Sequence, residues 1–61
     1  MELKIRIEMD NAAFEDEPSV EVSRILRKII KEIDGLSLSV GTYIPLMDAN
    51  GNKVGTAEVA E

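Results

Sequence analysis

Apolar and charged residues alternate at the start of the chain, with Leu3, Ile5, Ile7 and Met9 set between Glu2, Lys4, Arg6 and Glu8. A period of two predicts a β-strand with one apolar face and one charged face, covered on one side. Residues 10–18, DNAAFEDEP, break the alternation, carry the only phenylalanine and end in Pro18, which suits the first turn of a helix. From there to about Asp34 the period lengthens. Val22, Ile25, Leu26, Ile29 and Ile33 recur at i, i+3, i+4 and i+7, the spacing of a buried helical stripe, and Gly35 is a natural stop. Residues 36–42, LSLSVGT, fit a loop or a short strand. Tyr43–Met47 and Val54–Val59 then flank the turn-forming stretch DANGNK and predict a β-hairpin.

The predicted order is β-α-β-β: an α+β, two-layer fold with one helix packed on a three-stranded sheet, in a single domain over residues 1–61. Pro45 cannot donate to a ladder and so favours an edge strand. That places the last strand in the centre, antiparallel to both neighbours, in the order 2-3-1. At the hairpin tip, Asp48 suits the first position of a type I turn, Ala49 and Asn50 its centre, and Gly51 the left-handed closing position of a three-residue loop. A tip of this geometry pairs Leu46 with Val54 and Ile44 with Thr56 on the helix-facing side. Tyr43, Pro45, Met47, Ala57 and Val59 then point away from the helix.

The alternating oxygens of Asp48, Asn50 and Asn52 also invite comparison with a calcium loop. Such a loop needs glycine at its sixth position and glutamate at its twelfth, where this chain has Lys53 and Val59. The stretch reads as a turn. Elsewhere the chemistry is sparse: there is no His, Cys or Trp, which removes imidazole bases, thiol nucleophiles and His or Cys metal sites. Neither an enzyme nor a cofactor is expected. Asp10, Glu15, Asp16 and Glu17 crowd the connector and admit three readings: charges favouring the positive end of the helix, a contact patch imitating a nucleic-acid backbone towards a basic partner, or a site for a hard cation.

Charge and length refine this picture. The net charge is −5, yet Arg24, Arg27, Lys28 and Lys31 line one exposed helical ridge, a possible anion contact. With no aromatic residue interleaved and an acidic total, the ridge argues against direct nucleic-acid binding. A chain of 61 residues buries only about 60% of its unfolded surface and has no disulfide to support it. One helix cannot cover both faces of a sheet, so Tyr43, Met47, Ala57 and Val59 are expected to form a homodimer or partner interface. The first residues lack the apolar core of a signal peptide, and no apolar run approaches the roughly 18 residues of a membrane span. The expectation is a soluble cytoplasmic protein with no membrane contact.

Three segments, DNAAFED, RILRKI and DANGNKVG, resemble those of small phage- and prophage-encoded accessory proteins over about residues 3–59. The resemblance implies a phage context in a bacterial host cytosol and assigns no catalytic residue. It suggests a non-enzymatic inhibitor that binds and blocks a host factor, including an anti-phage defence protein. The alternatives are a homodimer sequestering a small anionic ligand through Arg24, Arg27 or Lys28, and a minor regulator of nucleic-acid-binding machinery.

Overall fold

The computed structural model describes residues 1–61 and contains β1 (Glu2–Ile7), a 3-10 turn (Ala12–Phe14), α1 (Pro18–Ile33), β2 (Tyr43–Met47) and β3 (Lys53–Ala60). The three strands form one antiparallel sheet in the order β1-β3-β2, so the hairpin's second strand is central as its edge proline requires. Residues 36–42 form no strand. Pro18 opens the helix with its fixed φ, and Asp34 caps the far end through its N–H to the Ile30 carbonyl.

The hairpin register differs from the sequence expectation. The tip has the expected three-residue loop: the Gly51 N–H donates to the Asp48 carbonyl at 3.1 Å, the Asp48 N–H to the Asn52 carbonyl at 2.8 Å, and Gly51 has φ +85°. Met47 then opposes Lys53, but an irregularity between Leu46 and Met47 makes Val54 an extra residue. Beyond it Leu46 opposes Gly55 and Ile44 opposes Ala57, so every later residue of β3 changes face. Gly55 is needed there because a Cβ would collide with the Arg6 carbonyl oxygen of β1. Ala57 and Val59 therefore lie on the helix-facing side, 1% and 5% exposed, rather than on the outer face.

The core consists of Phe14, Ile25, Ile29, Ile44, Leu46, Val54 and Ala57. Helical spacing brings Ile25 and Ile29 onto the hairpin, and the short turn folds Phe14 in beside them. Coverage is uneven. The inner residues of β2, Ile44 and Leu46, are buried, whereas Leu3 and Ile5 on the same face of β1 are 43% and 44% exposed. Leu26, expected in the buried stripe, is exposed too, and it lies with Ile30 on the helix flank turned away from β2. The shape agrees: a Cα radius of gyration of 12.0 Å exceeds the roughly 10.5 Å of a compact chain of this length.

Candidate interaction surfaces

Two buried carboxylates tie the hairpin tip to the rest of the molecule. Glu21 falls one turn before Ile25 on the core side of α1 and accepts from Arg24 Nε at 2.9 Å, Arg24 Nη2 at 3.0 Å and the Ala49 N–H at 2.7 Å. Arg24 also donates to the Met47 carbonyl at 3.0 Å. Asp48 accepts from the N–H groups of Asn50 and Asn52, each at 2.8 Å, and from the side-chain amides of Asn52 at 3.2 Å and Asn11 at 2.6 Å. The other end of Asn11 accepts from the Ala13 N–H at 3.0 Å and so caps the turn that carries Phe14. No buried side-chain polar atom is left without a partner.

The electrostatics follow from these bonds. The Arg24 guanidinium, with help from the Ala49 N–H, holds Glu21 below the ordinary carboxylate range against the opposing effect of burial, and Glu21 in turn raises Arg24. Hydrogen bonds led by the Asn52 N–H lower Asp48 in the same way. Three donors hold Glu21 ionised and four hold Asp48, which makes DANGNK a clasp between α1, the turn and the hairpin. Neither Glu21 nor Asn11 stands out in the sequence as part of this network. A charged residue at 21, 25, 29 spacing within an apolar stripe was the available signal for Glu21.

The expected surface residues are distributed differently. Asp10, Glu15, Asp16 and Glu17 are all exposed, Glu17 makes no side-chain cap bond, and no acidic group in the molecule is arranged to hold a metal ion. The basic ridge loses Arg24 to the clasp, leaving Arg27, Lys28 and Lys31 exposed. Lys28 shares with Glu32 the rim of a pocket of about 200 Å³ floored by Ile25, Ile29, Ile44 and Leu46. That volume is below the roughly 300 Å³ at which small-molecule sites begin. On the outer sheet face only Tyr43, Pro45 and Met47 remain of the expected patch, and Lys53 Nζ donates to the Tyr43 hydroxyl at 2.6 Å.

The uncovered apolar surface lies elsewhere. Twelve large apolar side chains are exposed against eight apolar residues buried. Leu3 and Ile5 of β1 and Leu26 and Ile30 of α1 lie on the side away from β2, while Leu36, Leu38 and Val40 follow in the loop after the helix. No helix is long and apolar enough to cross a membrane. No protein-family model, curated protein or solved structure matches the chain.

Proposed function

We propose that the chain is a non-enzymatic interaction protein that acts by binding and occluding a protein partner in a bacterial cytosol. The observation that carries this reading is the excess of exposed over buried large apolar side chains, on a molecule whose buried side-chain polar atoms all have partners. Its two buried carboxylates are engaged by main-chain and side-chain donors within the fold, three at Glu21 and four at Asp48. Binding surface is what the fold presents in quantity. The phage-like segments support placing the partner among host factors, anti-phage defence proteins included, with inhibition by occlusion as the mode of action.

Immobilised chain should retain a host protein in stoichiometric amount, and the purified pair should show loss of that protein's activity. Leu38→Lys should release the partner, whereas Lys31→Glu on the opposite sign of surface should not. Absence of any retained protein above an unrelated acidic control of the same size would overturn the reading.

A further inference from the structure

The two edges of the sheet are unequal. On β2 the main-chain groups of Ile44 and Leu46 face β3, opposite Ala57 and Gly55, so Pro45 sits where its missing N–H would have pointed at the open edge. That edge is blunted. On β1 the Glu8 N–H donates to the Val54 carbonyl at 2.8 Å, and alternation turns the main-chain groups of Lys4 and Arg6 towards β3 as well. The N–H and C=O groups of Leu3, Ile5 and Ile7 are thereby aimed outward, along an edge with no proline and no bulge. Two of these residues, Leu3 and Ile5, carry apolar side chains that α1 leaves uncovered, while Ile7 packs against the core. Unpaired edges of this kind are templates for another strand.

We propose that a second copy of this chain occupies that edge, pairing β1 antiparallel with β1 of its partner about a two-fold axis near Lys4. Charge complementarity selects this occupant and, together with the overlap along β1, this register. A two-fold axis perpendicular to the sheet requires opposed residues to share a face, so residue numbers in each pair add to an even total. A total of eight opposes Leu3 with the partner's Ile5 on the inner face and Glu2 with the partner's Arg6 on the outer face, leaving only Lys4 against itself. Each Lys4 is accompanied by its own Glu2, with Nζ to Oε1 at 3.8 Å. A total of ten sets Lys4 against Arg6 and Glu2 against Glu8, like charge against like in every outer pair. A total of six leaves Arg6 and Ile7 unpaired.

The result is a six-stranded sheet with both helices on one face. The Leu3 and Ile5 side chains of the two copies meet at its centre, with the Leu26–Ile30 flanks of the helices on either side. The inference shares with the proposed function the premise that the uncovered apolar surface binds, and it assigns an occupant to the β1 part. A dimer that captures no host protein leaves this inference standing and removes only the other.

Sedimentation of the purified full chain over a range of concentrations tests it by charge exchange. The wild type should dimerise. Glu2→Arg and Arg6→Glu should each weaken the dimer by about tenfold or more, since each turns two attractive cross-strand pairs into repulsive ones. The double variant should return to within a few-fold of wild type. Tyr43→Lys, on the blunted edge, should leave the dimer unchanged, and circular dichroism should show all four variants folded. A wild type monomeric at millimolar concentration, a double variant no better than the singles, or a dimer lost on Tyr43→Lys would each overturn the proposal.

Discussion

The clasped side and the open side of this molecule stabilise themselves by different means. Around the hairpin tip, Glu21, Asp48 and Asn11 reach across as many as 37 positions of sequence, every buried side-chain polar atom has a partner, and Ile25, Ile29, Ile44 and Leu46 close over one another. Along β1 the charged face is tied only by short-range pairs such as Arg6 to Glu8 at 2.7 Å, and the apolar face looks out past the helix. A small fold can complete one side by itself. The apolar residues that it cannot enclose then become its means of association.

The largest effect is expected from Ile29→Asp on the enclosed side. A charge without a partner in that core costs about 3–5 kcal/mol, which is the order of the whole stability of a domain this small. The variant should be unfolded by circular dichroism at 25 °C. A cooperative transition at the wild-type midpoint would show that α1 does not pack through Ile25 and Ile29.

Asp48→Asn comes next, because it places an amide where four donors converge on a carboxylate. At neutral pH the thermal midpoint should fall by roughly 10 °C. The pH dependence has a definite sign. Glu21 and Asp48 are both lowered in the folded protein, so their contribution is fully present above the ordinary carboxylate range near pH 4 and is lost as pH falls through the depressed folded values. The gap between wild type and Asp48→Asn should therefore close in strong acid. A gap independent of pH would assign the loss to loop geometry instead of charge.

On the open side the expected cost to the monomer is small. Ile5→Thr removes part of a side chain already 44% exposed, so at low concentration it should change the midpoint by less than about 5 °C. At high concentration it should remove whatever additional stability wild type gains by association, visible as a midpoint that no longer rises with concentration. The smallest effects belong to Met47→Lys on the outer face and Lys31→Glu on the basic ridge. Both residues are solvent-exposed, and each change should shift stability by no more than about 0.5 kcal/mol in urea titration. A large loss on Met47→Lys would return the interface to the outer face of the sheet.

The sequence made the closed side legible element by element but not in its connections. Alternation in β1, the 3.6-residue period of α1 and the turn chemistry of Asp48–Gly51 are local signals, and the edge position of Pro45 follows from one missing N–H. The register beyond the tip depends on the bulge at Val54, whose only local sign is Gly55, a glycine inside a strand. A shift of one position carried Ala57 and Val59 from the expected outer patch into the interior. Asn11 could not be connected to Asp48 from sequence because a side-chain bond between distant segments leaves no periodic trace. The exposure of Leu26 was hidden for a similar reason: a stripe fixes which residues share a flank and leaves open how far across the sheet the helix lies.

Amide hydrogen exchange along β1 tests the central claim residue by residue. The N–H groups of Lys4 and Arg6 face β3 and should be protected at every protein concentration. Those of Leu3 and Ile5 should exchange rapidly in dilute solution and become protected together as concentration rises, in step with dimer formation. Leu3 and Ile5 amides that stay unprotected at millimolar concentration, or that are as slow as their neighbours when dilute, would contradict an open edge completed by a second copy.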